Sequence, residues 1–164
     1  MVEQALTTPD KAFEATEQYK ALIQLAAKIE LEGPKKEAKA AAEQRLREVR
    51  ARGYWVDDNS KLMWTVKDSG SDIEWNAADA YCRGMTLGGF TGWRLASIDE
   101  LQRMYDASLP DGTWKTRGPI YPSGWTWSGT RNGSSEAWNF LFTDGQRYSH
   151  LLAYSYFERA LCVR

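Results

Sequence analysis

The stretch LGGFTGWRLASIDEL, residues 87–101, indicates the fold class most directly. Its glycine-rich beginning, residues 88–92, predicts a tight loop, because glycine adopts turn conformations that other residues avoid. Residues 93–95 (WRL) follow this loop. Ser97 and Glu100 then form the pattern of a capping box, in which their side chains accept hydrogen bonds from backbone N–H groups at a helix start. A tight loop is therefore followed closely by a helix.

Short strands and one further helix surround this stretch. Apolar or aromatic residues alternate with Gly, Asn, Asp and Ser on both sides, a pattern typical of strands joined by turns. The predicted elements are strands at residues 54–56, 62–66, 137–142, 146–148 and 159–164, and a helix at 73–83 with Asp72 as its N-cap. Residues 114–133 are aromatic and glycine-rich and show little regular pattern. This order predicts an α+β domain with two helices, an antiparallel sheet and long loops.

Residues 1–52 differ in composition from the rest of the chain and are predicted to be helical. All eight tryptophans lie after Gly53, whereas Ala, Glu, Lys and Arg predominate before it. Pro9 marks the start of a first helix, because proline is tolerated in the first helical turn. Gly33 and Pro34 predict the end of that helix, since glycine and the residue before a proline both disfavour its continuation. The sequence therefore predicts an N-terminal helical pair.

The second of these helices, residues 35–52, has a narrow apolar stripe and needs a partner. The stripe consists of four small or aliphatic residues, Ala38, Ala42, Leu46 and Val49. Three partners are consistent with it: the first helix in a hairpin, the downstream domain of residues 53–164, or copies of the helices in another chain. The third alternative predicts a homo-oligomer held together by residues 1–52.

Composition and charge exclude several classes of protein. With a net charge of −1 over 164 residues, the chain lacks the positive charge with which nucleic-acid-binding proteins neutralise phosphates. No apolar run approaches the roughly 20 residues needed to cross a bilayer, and the first ten residues do not resemble a secretory signal. Two cysteines and one histidine are too few for a well-spaced metal-ligand set, so we expect neither a metal nor another cofactor.

The sequence also offers no catalytic set. A Ser-His-Asp or Cys-His arrangement would depend entirely on His150, the only histidine, which is predicted to lie in a surface turn. Asp57 and Asp58 are neighbouring carboxylates, but they fit a turn between two strands better than a pair of catalytic acids. We therefore expect a protein that is not an enzyme.

Several blocks of sequence resemble, in order, the Lcl C-terminal domain family. They are WVDDNSKLMW at 55–64, WNAADAYC at 75–82, LGGFTGWRL at 87–95, EL at 100–101, WTWS at 125–128, AW at 137–138, DG at 144–145 and ALCVR at 160–164. The family usually has proline where this chain has Ala96, so the loop before the capping box is less constrained. The resemblance covers residues 53–164 and implies a C-type-lectin-like fold whose long loops form one binding face.

The resemblance also implies a location and a disulfide. Members of the family tend to be exported or to lie at cell surfaces, and some bind sulfated polysaccharides. In lectin-like folds the end of the first helix and the last strand are neighbours, which would join Cys82 to Cys162. The alternative is two buried free thiols in a reducing compartment, where disulfides are rare. The expected location is therefore extracellular or at the cell surface, and free thiols would instead correspond to the cytoplasm.

A ligand-binding surface is expected near the end of the chain. The tryptophans inside the family blocks are interpreted as core residues: Trp64, Trp75, Trp93, Trp127 and Trp138. The calcium-dependent sugar site of C-type lectins is not expected, because Phe140 stands where those lectins have Asp. An aromatic face with polar groups around it can bind a sugar without a metal. The candidate residues are Trp125, Arg131, Asn132, Arg147, Tyr148, His150, Tyr154 and Tyr156.

Two functions are consistent with such a surface. The first is a non-enzymatic module that binds a polysaccharide or another surface ligand through the late loops. The second is a protein-interaction or assembly module, including the variable protein of a diversity-generating retroelement, whose variable residues would lie at 147–158. In both cases the partner is a polysaccharide or a protein, and not a nucleic acid.

Overall fold

The computed structural model describes residues 17–164, which divide into two units between Arg45 and Leu46. The predicted helix start at Pro9 lies outside the described residues. A single helix, α1 (Glu17–Arg52), begins in the first unit and ends in the second. None of the described helices combines the length and the apolar composition that crossing a membrane requires.

Helix α1 continues through Pro34, so the predicted helical pair is wrong. Proline removes one backbone hydrogen bond and costs about 3 kcal/mol or more inside a helix. The segments on both sides consist largely of Ala, Leu, Glu, Lys and Gln, which have the most favourable helix propensities. Their combined preference outweighs the cost at one position. The hairpin alternative is excluded as well, since no turn separates the two segments.

The apolar stripe of α1 is covered only near its end. Leu46 and Val49 are half-buried, whereas Ala38 and Ala42 are exposed. In the first unit, three large apolar side chains are more than half exposed: Ile23, Leu25 and Ile29. The side chains of this helix are therefore mostly solvated among the residues whose burial is described.

Eight strands form two sheets in the second unit. The strands are β1 (Tyr54–Val56), β2 (Met63–Thr65), β3 (Arg94–Leu95), β4 (Trp125–Asn132), β5 (Glu136–Leu141), β6 (Gln146–Leu151), β7 (Glu158–Ala160) and β8 (Cys162–Val163). The first sheet has the order β1-β2-β8-β3 and is antiparallel. The second has the order β6-β5-β4-β7 and is antiparallel except for the parallel pair of β4 and β7.

Two short helices complete the second unit, α2 (Trp75–Arg83) and α3 (Ile98–Arg103). The predicted capping box of Ser97 and Glu100 at the start of α3 is confirmed. The predicted N-cap of α2 is wrong, because Glu74 occupies the N-cap position and Asp72 instead accepts a hydrogen bond from Arg159. Helices and sheets together confirm the α+β class.

Most of the predicted strands are present, and three regions differ. β4 occupies part of the stretch 114–133, which lacks a clear strand pattern; it forms because β5 and β7 pair with both of its edges. β6 extends to Leu151, so His150 lies in a strand and not in the predicted surface turn. Residues 159–164 do not form one strand, since β7 and β8 belong to different sheets.

Tryptophans and a disulfide hold the second unit together. Three of the predicted core tryptophans are fully buried: Trp64, Trp93 and Trp127. Trp75 and Trp138 are half-buried. Cys82 and Cys162 form the predicted disulfide, with their Cα atoms 5.5 Å apart. The bond joins the end of α2 to β8 and so fixes the helix against the first sheet.

Candidate functional site

One face of the second sheet brings several candidate residues together. Residues directly opposite each other on neighbouring strands share a face. The register pairs Trp125 with Glu158, Trp127 with Asn139, Asn139 with Tyr148, and Ala137 with His150. Since alternate residues of one strand also share a face, these side chains all lie on the same side of the sheet.

Four aromatic rings meet on this face, and we call them the His150 cluster: Trp125, Tyr148, His150 and Tyr154. The ring centroids of Trp125 lie 4.4 Å from those of Tyr148 and 5.1 Å from those of His150. The His150 and Tyr154 centroids are 4.7 Å apart. Tyr154 is 40% exposed, and the other three residues are half-buried. The rings therefore form a patch that solvent can reach.

A buried carboxyl group contacts the cluster. Glu158 is fully buried, and its Oε1 atom lies 2.5 Å from His150 Nδ1. The same oxygen accepts a hydrogen bond of 2.6 Å from Asn139 Nδ2, which is also 2.7 Å from His150 Nδ1. Glu158 Oε2 and Asn139 Oδ1 have no hydrogen-bond partner among the described residues. A carboxylate with one unpaired buried oxygen is strongly disfavoured relative to its neutral form.

Burial determines where the proton of this group resides. It raises the pKa of Glu158 to about 8, although the hydrogen bond from Asn139 acts in the opposite direction. Burial also lowers the pKa of His150, since each charged form would lose its hydration. At neutral pH, Glu158 is therefore protonated and His150 is neutral. The Glu158 hydroxyl donates to His150 Nδ1, which leaves the imidazole proton on Nε2.

The rim of the cluster carries further polar atoms. The Tyr148 hydroxyl donates a hydrogen bond of 2.7 Å to the Asp144 carboxylate, and this bond raises the pKa of Tyr148. Asp144 is exposed, so its carboxylate is an accessible acceptor. His150 Nε2–H and the hydroxyl of Tyr154 are donors, and the hydroxyl can also accept. The patch thus combines ring surfaces with both kinds of hydrogen-bonding group.

Arg131 and Tyr156, two of the predicted site residues, make their contacts outside the cluster. The Arg131 guanidinium lies 4.9 Å from the ring centroid of Trp75 and donates to the backbone carbonyls of Ser134 and Glu136. Tyr156 is 64% exposed. Its ring forms an edge-to-face contact with the ring of Phe157, with the two centroids 4.9 Å apart. Neither side chain contributes to the four-ring patch.

Asn132 and Arg147, two further predicted site residues, lie on the opposite face of the sheet. Asn132 donates a hydrogen bond of 2.8 Å to Ser149 Oγ, on the other side of β6 from the cluster. Arg147 donates to Asp99 Oδ1 at 2.6 Å and to Gln102 Oε1 at 2.5 Å, both on α3. The structure therefore separates these two residues from the His150 cluster.

Sequence analysis misses Asn139 and Glu158. An asparagine after a core tryptophan and an acidic residue before an arginine are both ordinary surface patterns. The one available signal is spacing, because Glu158 lies two residues before Ala160 of a family block and shares its strand face. That spacing predicts which face of the strand Glu158 occupies. It does not predict that Asn139 and His150 form hydrogen bonds with the buried carboxyl group.

The chemistry of the patch rests on hydrogen bonds and ring contacts. Among residues 17–164, no group of three or more His, Cys, Asp or Glu side chains is arranged to hold a metal ion. Both cysteines are used in the disulfide, and His150 Nδ1 faces the protonated carboxyl of Glu158. The patch therefore consists of an uncharged imidazole, 25% exposed, beside three larger rings.

Comparison with known families gives one match. The model of the Lcl C-terminal domain family matches residues 53–164, which is more than half of the chain. The matched segment contains strands β1 to β8, both short helices, the disulfide and the whole His150 cluster. No curated protein sequence matches the chain.

Proposed function

The chain belongs to the Lcl C-terminal domain family, and we propose that residues 53–164 form a non-enzymatic module that binds a polysaccharide through the His150 cluster. We propose further that this part of the chain has a C-type-lectin-like fold. One observation carries the proposal: four partly exposed rings meet above a buried, uncharged hydrogen-bonding group.

The rings of the cluster match the surface of a sugar. Pyranose rings present C–H groups that pack well against aromatic faces, and Trp and Tyr combine such faces with a polar tip. Trp125 and Tyr154 come from different segments and flank His150 at 5.1 and 4.7 Å. Around them, His150 Nε2–H can donate to a sugar hydroxyl and the Asp144 carboxylate can accept from one.

The cluster is also ordered before a ligand arrives. His150 is held by Glu158 and Asn139, and the backbone of Trp125 is fixed by the pairing of β4 with β7. Side chains that are already fixed lose little entropy when a ligand binds, which favours affinity. The same contacts support a binding role over a catalytic one, because the hydrogen bond from Glu158 to Nδ1 leaves the imidazole proton on Nε2, which is then a donor and not a general base.

The proposed location is outside the cytoplasm. The disulfide joins residues 80 positions apart, and such bonds persist in oxidising compartments while they are rare in the cytosol. A secreted or cell-surface protein would also meet polysaccharide ligands there.

Glycan binding by the full chain, with two tyrosine variants, tests the proposal. Tyr154→Ala removes a cluster ring that is 40% exposed, whereas Tyr156→Ala removes a nearby ring that is 64% exposed and lies outside the cluster. We expect retention of at least one class of polysaccharide in the presence of a chelator. The expected loss of affinity is about 10-fold or more for Tyr154→Ala and below about 2-fold for Tyr156→Ala. Equal losses, or no glycan retained by the unsubstituted protein, would contradict the proposal.

A second function, assembly through α1, is favoured by a separate observation. Ile23, Leu25 and Ile29 are 54%, 54% and 62% exposed, although helices normally cover such residues. Leu25 and Ile29 lie one turn apart on the same side of the helix, and a second copy of the helix would cover these two residues in a homo-oligomer. Light scattering should then give a mass above that of one chain, which falls to one chain in the double variant Leu25→Lys/Ile29→Lys. A monomeric mass for the unsubstituted protein would reject this function.

A further inference from the structure

A cavity of about 740 Å³ lies within the unit Leu46–Arg164, and no residue of the His150 cluster lines it. Its wall comes from the end of α1, from β2 and the residues after it, from the end of α2 with the following turn, and from Tyr121. Cavities of roughly 300–1,000 Å³ are typical of sites for small organic molecules. The cavity is therefore large enough for a ligand of that kind.

One part of the cavity is cationic. The Arg50 guanidinium donates a hydrogen bond of 2.9 Å to the Tyr121 hydroxyl and lies 5.2 Å from its ring centroid. Lys67 forms a backbone bridge with Tyr121, so its side chain starts beside the same residue. Neither cation takes part in the ion pairs found among residues 17–164. The Arg50 guanidinium thus lies at Tyr121, the exposed side chain of Lys67 begins beside the same residue, and none of these ion pairs neutralises either charge.

The one carboxylate in the wall is already fully engaged. Asp68 accepts hydrogen bonds from the backbone N–H groups of Gly70, at 2.9 Å, and of Ser123, at 2.5 Å. It also accepts from Ser123 Oγ at 3.0 Å to both of its oxygens. Its side chain is buried, with 9% of the residue exposed. These hydrogen bonds leave the carboxylate with few oxygen lone pairs for direct contact with a ligand, and the two cations of the wall, Arg50 and Lys67, outnumber it.

The other part of the cavity is apolar and partly aromatic. Tyr81 on α2 is 42% exposed, as is Tyr121. Met85 and Leu87, in the turn after α2, complete this wall. Exposed rings and a methionine side chain adapt readily to apolar ligand surfaces. A ligand that matches both parts must be apolar at one end and anionic at the other.

We propose that this cavity binds a small amphipathic carboxylate, an aryl or alkyl chain that ends in a carboxylate group. The chain packs against Tyr81, Met85 and Leu87, and the carboxylate pairs with Arg50 and Lys67. The planar guanidinium can hold the carboxylate with two hydrogen bonds, and the ammonium group adds a point charge. This site is independent of the proposed polysaccharide site, so either can fail without the other.

Titration of the full chain with 4-phenylbutyrate, followed by amide NMR shifts, tests the proposal. We expect saturable shifts at Gly53, Lys67 and Tyr121 and none at His150 or Tyr154. The matched cation 4-phenylbutylamine has the same ring and chain length and should bind at least about 10-fold more weakly, because its charge is opposite. Failure of 4-phenylbutyrate to shift the cavity residues at millimolar concentration would overturn the proposal, and so would equal affinity for the amine.

Variants that remove one positive charge from the cavity wall test where the carboxylate of the ligand binds. Arg50→Gln and Lys67→Gln should each weaken binding of 4-phenylbutyrate about 2- to 5-fold, the size expected for one exposed ion pair. The double variant should weaken it about 10-fold, while Lys39→Gln, on α1 outside the cavity wall, should leave it unchanged. All these side chains are exposed, so the dispersed NMR spectrum of the folded protein should persist. Unchanged affinity in the double variant would overturn the placement of the carboxylate.

Discussion

Replacing Glu158 by glutamine should change how the stability of the protein depends on pH. Glutamine has nearly the shape of a protonated glutamate but cannot ionise. In the folded protein the carboxyl group keeps its proton up to about pH 8, whereas its ordinary pKa, which applies in the unfolded chain, is 4.5. Between these values the unfolded state binds fewer protons than the folded state. Stability must therefore fall as the pH rises through this window.

The size of the effect follows from the difference between the two pKa values. One proton changes the free energy of unfolding by about 1.4 kcal/mol per pH unit. From pH 4.5 to pH 7 the unsubstituted protein should therefore lose about 3 kcal/mol, and about 4 kcal/mol by pH 8, because each state is only half titrated at its own pKa. Glu158→Gln lacks this loss but weakens the hydrogen bond to His150, which costs about 1 kcal/mol at every pH. The variant should be less stable below about pH 5 and more stable above about pH 6.

Urea unfolding, followed by tryptophan fluorescence with the disulfide intact, measures both proteins between pH 4.5 and 8. Subtracting the two profiles removes the ionisable groups that both share. His150, whose pKa is lowered by burial, is among them, because it is present in both proteins. A flat difference profile for Glu158→Gln would refute the protonated state assigned to Glu158.

Three further predictions concern stability and can be measured by the same unfolding experiment. Reducing the disulfide, whose loop spans 80 residues, should cost about 4 kcal/mol in the chain-entropy account. Gly118→Ala, at φ +65°, would place a Cβ atom 2.7 Å from the Trp55 ring and should cost about 2 to 4 kcal/mol, whereas Gly112→Ala, at φ +79° in open space, should cost only about 1 to 2 kcal/mol. Glu100→Gln breaks a two-bond pair with Arg94, which holds the pKa of Glu100 below its usual value. It should cost about 0.5 to 1 kcal/mol at neutral pH, and the cost should vanish as the pH falls below 4.

Elements whose hydrogen bonds are local can be predicted from the sequence. The capping box at Ser97 needs only two residues three positions apart, and the hairpin of β1 and β2 needs only a polar turn between two apolar runs. Pro34 shows the limit of such reasoning. A single proline does not end a helix when some thirty neighbouring residues favour helix formation. The outcome depends on the summed helix propensities of the whole segment, which a local motif does not show.

The candidate site depends on pairing between strands that are distant in the sequence, and local sequence patterns do not predict that pairing. Composition alone identifies Trp125, Tyr148 and Tyr154 as candidates, but the register decides which side chains share a face. Arg147 lies beside Tyr148 in sequence and on the other side of β6 in space, since one position changes the face of a strand. The parallel pair of β4 and β7 likewise requires a crossover, so the neighbour of Trp125 at Glu158 has no local signature.

The segment that carries Glu158 also connects the two sheets. β7 pairs with β4 in one sheet, and β8 pairs with β2 and β3 in the other, with only Leu161 between them. Cys162 adds a covalent bond to α2. A carboxyl group in so constrained a segment cannot move to the surface to regain water, so it retains its proton instead. The hydrogen bond to His150 is therefore kept at neutral pH, and the imidazole edge with Nε2 stays turned away from the buried carboxyl, where a ligand at the cluster would meet it.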